Sequence, residues 1–377
     1  MEEISTFQAA TRVIFGPGAV ANLGALVKEL DLEKCLVVTD AGVTKAGIAT
    51  RAVANLTGAG VKVLVFDAVE PNPSMETVVE ASHLYQDGRC DGIVAVGGGS
   101  PIDVAKAVAV LATNPGELSR YVGVDKIANP LAPLLAVPTT VGTGSEVTTW
   151  AVITDLAQQK KVVLGSPLLA PRFAVLDPEL VLSLPAGLTA STGVDALTHA
   201  IESVISVFAT PFSDGLAFEA IRLVATNLPA AVQSPSLKSR ANMLYASTLG
   251  GLAFSYARTG LVHGMAHPLS SHCDVPHGMA NAILLPHVLA FNAPACDVQL
   301  ARVAEAMGVS PTAGSAIEAV HRLNAEVGIP PHLRQVGVTE ASIPRMAQDA
   351  FESGNAQVVN PRKPSLEDVI KLYREAL

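Results

Sequence analysis

In the first half of the chain the apolar residues come in short runs. Lys34-Cys-Leu-Val-Val-Thr-Asp40, Val61-Lys-Val-Leu-Val-Phe66, Gly92-Ile-Val-Ala-Val96, Leu134-Leu-Ala-Val137 and Phe173-Ala-Val-Leu176 each read as a buried strand. Stretches with helical spacing lie between them, such as residues 47–59 and 74–87. Alternating strand and helix predicts a parallel sheet with helical crossovers. From about Thr189 the pattern changes to Ala-, Leu- and Val-rich sequence with helical period. Residues 195–207, 214–227, 239–254, 296–307 and 364–376 are predicted helices. Pro185 and Gly187 punctuate the joint. The pattern therefore predicts α/β plus all-α: an α/β domain over residues 1–185 and an all-helical domain over residues 186–377. A cleft between two such domains is a usual place for a ligand.

The third strand runs directly into Gly97-Gly-Gly-Ser-Pro-Ile-Asp103. Ser100 fits a helix N-cap, Pro101 the first helical position and Asp103 the capping-box partner. The three glycines permit close backbone approach, and N–H groups at a helix start favour a pyrophosphate. After the fourth strand comes Thr139-Thr-Val-Gly-Thr-Gly-Ser-Glu146, dense in donors for a phosphate, ribose or carboxamide. No G-x-G-x-x-G is present, and the strand-end acid Asp40 precedes the glycines instead of following them. Asp40 could accept from a ribose hydroxyl and repel a 2′-phosphate, favouring NAD over NADP. For Asp40 alone, capping of the next helix is the stronger reading.

In the second half Asp195 and His199 stand four residues apart, as do His263 and His267. On a helix each pair shares a face. His277 follows in Asp274-Val-Pro-His-Gly, read as a turn that aims its side chain back. Buried imidazoles need partners, and one shared cation would satisfy several. A carboxylate with several imidazoles suits Fe²⁺ or Zn²⁺ equally.

Composition narrows the possible functions. The 377 residues carry 25 Lys+Arg against 34 Asp+Glu, a formal charge of -9. That balance argues against a nucleic-acid partner or a polybasic membrane contact. Mean hydropathy is +0.39, but no unbroken apolar run reaches the length of a membrane span. Met1-Glu-Glu-Ile-Ser5 opens without the charge pattern of a signal peptide, so a cytoplasmic protein is expected. Cys35, Cys90, Cys273 and Cys296 form no CxxC, which signals neither a zinc knuckle nor a redox pair.

Taken together, these motifs resemble the iron-containing (group III) alcohol dehydrogenase family. The likeness is carried by Gly97-Gly-Gly-Ser-Pro-Ile-Asp-Val-Ala-Lys106, Pro138-Thr-Thr-Val-Gly-Thr-Gly-Ser-Glu-Val147, Gly193-Val-Asp-Ala-Leu-Thr-His-Ala-Ile-Glu202 and Gly260-Leu-Val-His-Gly-Met-Ala-His-Pro-Leu269. Val275-Pro-His-Gly-Met-Ala-Asn-Ala-Ile-Leu-Leu-Pro-His287 and Asn360-Pro-Arg362 continue it, and Phe15-Gly-Pro-Gly18 begins it. The resemblance implies an N-terminal Rossmann-like nucleotide domain and a C-terminal helical metal domain, as in dehydroquinate synthase-like folds. It implies that Asp195, His199, His263 and His277 hold Fe²⁺, or alternatively Zn²⁺. It implies NAD(P) over Gly97, Gly98, Gly99, Ser100, Thr139 and Thr140, with Asp40, Asn72, Thr143 and Lys161 nearby. His267 matches a family histidine that handles the proton. A homodimer or larger homo-oligomer acting on a small alcohol or aldehyde follows from the same likeness.

The sequence also departs from the family pattern. Ser270-Ser-His-Cys273, Tyr256, Trp150 and Ala356 replace residues more frequent in relatives. Trp150, Phe254 and Tyr256 are therefore candidate walls of a substrate pocket. His272 or Arg258 is a candidate partner for a polar or anionic substrate tail. Three other readings stay open on the residues alone: a dehydroquinate-synthase-like lyase or cyclase using metal and NAD, a metallohydrolase, and a non-catalytic nucleotide-binding protein.

Overall fold

The computed structural model describes residues 6–377. The chain forms two compact units. One comprises residues 9–140 and 145–184, the other residues 6–8, 141–144 and 185–377.

The first unit is built on a six-stranded sheet. Its strands are β1 (Arg12–Phe15), β2 (Lys34–Val38), β3 (Lys62–Phe66), β4 (Gly92–Gly97), β6 (Leu134–Pro138) and β9 (Phe173–Leu176). Their order is β1-β9-β6-β4-β2-β3, with every neighbouring pair parallel. All residues of β4 and β6 are buried, as expected of parallel strands covered on both faces. Crossover helices α3 (Ile48–Gly58) and α4 (Met75–Asp87) lie where the spacing predicted them. Ser74 caps α4 by accepting from the Thr77 N–H. The edge strand β1 has no buried residue, and its apolar run, Val13-Ile-Phe15, is too short to stand out. Strands β5 (Gly123–Val124), β7 (Trp150–Asp155) and β8 (Lys160–Gly165) form a separate sheet in the order β5-β8-β7.

The chain's walk across the large sheet reverses at β2. Its neighbour β3 lies on one side and β4 on the other. Such a switch point leaves a crevice outside the carboxyl ends of the strands. Asp40 follows β2, Gly97 ends β4 and Thr139 follows β6, so all three stand at that edge.

The second unit is helical. Its helices are α6 (Ala186–Ile205), α7 (Pro211–Gln233), α8 (Leu237–Ala257), α9 (Leu261–Cys273), α10 (His277–Ala306), α11 (Ala313–Glu326), α12 (Ile343–Glu352) and α13 (Leu366–Ala376). Helix α6 is buried on every side from Thr189 to Ile205, packed by α7, α8 and α10. Thr189, Thr192, Thr198 and Ser203 return their hydroxyls to carbonyls four residues back, so burial strands none of them. Close approach needs glycine here. A Cβ on Gly278 would lie 2.6 Å from the Ser191 carbonyl oxygen.

Most helices run longer than the apolar period suggested, because caps set their ends. Thr210 and Ser236 each form a capping box, at the starts of α7 and α8. Helix α10 absorbs the predicted helix at 296–307 and bends at Cys296, whose φ/ψ is −146/37, two residues after Pro294. His277 is therefore the first residue of a long helix rather than part of a turn. Helices α7 and α10 are long and apolar enough, by length and composition alone, to cross a membrane. Most of the apolar window of α10 is buried inside the helical unit.

The glycine loop differs from its sequence reading. Helix α5 (Gly99–Thr113) has Gly98 at its N-cap and no capping side chain. Asp103 caps nothing. It accepts from Ser145 Oγ at 2.5 Å and from the Val152 N–H at 3.0 Å. One turn on, the fully buried Lys106 donates to the Thr148 carbonyl at 2.9 Å, Thr148 Oγ1 at 2.8 Å and the Trp150 carbonyl at 2.8 Å. Three ammonium protons thus meet three acceptors. Burial pushes the Lys106 pKa down to about 8, against the opposing pull of Asp103 and Glu146. Lys106→Met removes the cation and leaves Asp103 buried without it. The expected loss is about 3 kcal/mol or more in urea unfolding. An unchanged unfolding midpoint would contradict this account of the loop.

Candidate active site

Three helices each contribute a pair of polar side chains four residues apart. Asp195 and His199 come from α6, His263 and His267 from α9, and His277 and Asn281 from α10. Asp195 Oδ1, His263 Nε2 and His277 Nε2 converge, each ligand atom lying within 4.8 Å of the others. Asp195 Oδ1 is 3.9 Å from His263 Nε2 and 4.0 Å from His277 Nε2. Asp195 and His263 are buried, and His277 is partly exposed.

His199, the fourth predicted ligand, falls outside that closest set. Its ring stacks on His263 with centroids 4.6 Å apart, and on its other neighbour, Phe254, at 4.2 Å. Its Nδ1–H donates to the Gly142 carbonyl at 3.3 Å. That tautomer leaves the Nε2 lone pair available. His267 stacks on His277 at 5.4 Å and meets His263 edge-on at 6.3 Å.

Glu202, seven residues after Asp195 on α6, orients the set. Its carboxylate accepts from His263 Nδ1–H at 2.5 Å and from the Val262 N–H at 2.7 Å. Burial pushes Glu202 up, while those donors and the Gly260 N–H pull it down. Burial, with the neighbouring His199, His277 and His267, holds His263 well below the usual imidazole range. His263 is therefore neutral, and donation of its Nδ1–H aims the Nε2 lone pair inward. Glu202 also explains Gly260, where a Cβ would come within 3.0 Å of Glu202 Oε1. Asn360 Oδ1 accepts from the Leu261 N–H at 3.2 Å and from Asn292 Nδ2 at 3.0 Å, fixing the start of α9.

The α/β unit brings the predicted loop residues together in part. The Thr139 N–H donates to the Gly97 carbonyl at 2.9 Å, and a Cβ on Gly98 would lie 2.9 Å from Thr140 Cγ2. Gly99 and Ser100 form the first turn of α5. Asp40 caps α2 (Ala41–Lys45) by accepting from the Val43 N–H at 2.9 Å. Asn72 Oδ1 accepts from Lys161 Nζ at 2.9 Å. Thr143 belongs to the short segment grouped with the helical unit.

Of the candidate substrate walls, Phe254 stacks on His199. The Tyr256 hydroxyl donates to the Gln8 carbonyl, and its ring packs on Phe7 at 4.8 Å. His272 Nε2 lies 2.6 Å from Asp349 Oδ2. Arg258 lies over Phe208 at 4.8 Å. Trp150 covers Gly165 on the adjacent strand β8, where a Cβ would run into its ring.

Comparison with known proteins settles the relationship. Residues 10–178 match the family model "Iron-containing alcohol dehydrogenase", and residues 189–377 match "Fe-containing alcohol dehydrogenase family, C-terminal". The chain belongs to the iron-containing alcohol dehydrogenase family. It is similar to a 1,3-propanediol dehydrogenase of Citrobacter freundii, 45% identical over 372 residues and 96% of each chain. An NAD-dependent methanol dehydrogenase of Bacillus methanolicus is 37% identical over 97% of each. A crystal structure of 1,3-propanediol oxidoreductase matches all of both chains with a TM-score of 0.96 and 42% identity. The family's alcohol and aldehyde oxidoreduction sets aside the lyase, hydrolase and non-catalytic readings.

Sequence reading missed two residues at this site. Glu202 was signalled by its place at i+7 on the Asp195 face. Asn281 was signalled by its place at i+4 from His277, once His277 is seen to be helical. Glu202→Gln weakens the acceptor that fixes His263. It is expected to raise the Zn²⁺ dissociation constant about 10- to 100-fold in a chelator competition. An unchanged constant would remove Glu202 from the account.

Proposed function

We propose that this dehydrogenase transfers hydride between NAD(H) and a short alcohol or diol, using one divalent cation, Fe²⁺ or Zn²⁺. The convergence of Asp195, His263 and His277 within the helical unit carries this reading. A carboxylate and a neutral imidazole with its lone pair turned inward suit either metal. His199 is the fourth ligand in this reading. A cation held there supplies Lewis acidity toward an alcohol or carbonyl oxygen.

The chain's own residues do the rest. Glu202 and the Asn360–Asn292 pair hold α9 and the His263 ring in place. Phe254 shields His199 from water. His267, beside His277, takes the hydroxyl proton on oxidation and returns it on reduction. In the α/β unit, Gly97–Ser100 and Thr139–Thr140 cradle the pyrophosphate at a helix start without a capping side chain. Asn72, Thr143 and Lys161 complete the cofactor contacts. Asp40 sets the preference for NAD, because its charge repels a 2′-phosphate. The nucleotide domain spans residues 1–185 and the metal domain residues 186–377. The names of the relatives point to small diols and methanol as the substrate class. A cytoplasmic homodimer or larger homo-oligomer belongs to the same reading.

A panel of short alcohols and diols, read by NADH absorbance with metal-stripped enzyme reloaded with Fe²⁺ or Zn²⁺, tests the assignment. Turnover should require the metal, and full activity in the stripped enzyme would overturn it. His263→Ala should lose bound metal and turnover while NAD still binds; retained metal would count against the ligand set. Asp40→Gly should shift the ratio of NAD to NADP kcat/KM toward NADP. An unchanged ratio would leave Asp40 as a helix cap only.

A further inference from the structure

Asn281 is fully buried one helical turn after His277 on α10. Its Nδ2 lies 2.7 Å from Asp195 Oδ1, 3.1 Å from His263 Nε2 and 3.1 Å from His277 Nε2. These are the three atoms of the candidate metal set. An amide NH₂ has two protons, and here three acceptors converge on it. Its positive end stands where the lone pairs meet, which is the place a cation would take. At the other end of the same amide, Oδ1 is buried with no hydrogen-bond partner. A buried acceptor left in that state is costly and calls for an explanation.

The two occupants exclude each other. An imidazole Nε2 offers one lone pair, which cannot serve an N–H and a cation together. An arriving cation must therefore displace the NH₂, which can either withdraw or exchange places with Oδ1. Exchange breaks no bond at Oδ1, because Oδ1 makes none where it stands. It also brings an amide oxygen, a suitable donor for a divalent cation, into the site.

We propose that Asn281 gathers the ligand atoms of Asp195, His263 and His277 before the cation arrives, then turns its amide over so that Oδ1 faces the bound cation. The proposal rests on the metal assignment above, and the test separates the two. Full-length wild type, Asn281→Leu and Asn281→Asp are stripped of metal and titrated with Zn²⁺ against a competing chelator. Thermal midpoints of the stripped proteins are measured alongside.

Asn281→Leu keeps much of the side chain's bulk and removes both polar ends. Its stripped form should melt below wild type, and its Zn²⁺ dissociation constant should rise about 10- to 100-fold. Asn281→Asp should bind Zn²⁺ at least as tightly as wild type, since an oxygen again faces the cation. Its stripped form should melt lower, because a second carboxylate stands beside Asp195. Zn²⁺ binding by Asn281→Leu that equals or exceeds wild type would overturn the turnover, leaving the NH₂ as a mere competitor for lone pairs. Should Asn281→Leu fail to fold, weaker Zn²⁺ binding by Asn281→Asp would overturn it instead. Wild type that takes up no Zn²⁺ would overturn the metal assignment and this proposal together.

Discussion

A carboxylate buried beside several imidazoles holds together only when its lone pairs, and theirs, meet positive charge or N–H groups. The helical unit is arranged around that requirement. Asp195, His199 and Glu202 lie along one face of α6, a helix with no side turned to solvent from Thr189 to Ile205. Helix α9 brings His263 to both Glu202 and the converging set, and α10 brings His277 and Asn281. The backbone serves the same end. The Val262 N–H bonds to Glu202 and the Gly142 carbonyl accepts from His199. The glycines at 260 and 278 keep Cβ atoms out of the space these contacts need. What results is a set of oriented acceptors aimed at one point.

The α/β unit meets a similar problem in the opposite sense. Lys106 is a buried cation whose three protons are met by oxygens of Thr148 and Trp150, while Asp103 binds Ser145 and the Val152 amide. Helix α5 is thereby fastened to the stretch that follows Thr139 and Thr140. Charge and hydrogen bonding along α5 thus brace the loop proposed to hold the pyrophosphate. In both units buried polar contacts fix the candidate site residues, and apolar packing surrounds them.

How much of this can be read from the chain depends on how local each feature is. The four inner strands β2, β4, β6 and β9 are largely buried, so their apolar runs marked them within two residues, and the run of the edge strand β3 marked it as well. Strand β1 is an exposed edge whose run is only Val13-Ile-Phe15, and β8 begins with Lys160-Lys161 before its short run Val162-Val-Leu164, so neither stood out. The pairs Asp195/His199 and His263/His267 could be read as shared helix faces from spacing alone. Glu202 could not be given a role, because its partner His263 is 61 residues away. Ser100 and Asp103 spelled a capping box, but Ser145 and Val152, brought in by tertiary structure, claim the carboxylate. Asn281 was hidden by reading His277 as a turn, which removed the helix that sets the two side by side. The contacts of Tyr256 with Gln8 and of His272 with Asp349 could not be read from the chain, because those partners lie far off in sequence.

The central claim is that the point where Asp195, His263 and His277 converge is a divalent-cation site. Anomalous diffraction from crystals of the full chain grown with Fe²⁺ or Zn²⁺, recorded at the metal's absorption edge, tests it most directly. The account predicts a strong peak within bonding distance of Asp195 Oδ1, His263 Nε2 and His277 Nε2. No peak at that point, or a metal bound only at some other place on the molecule, would contradict it.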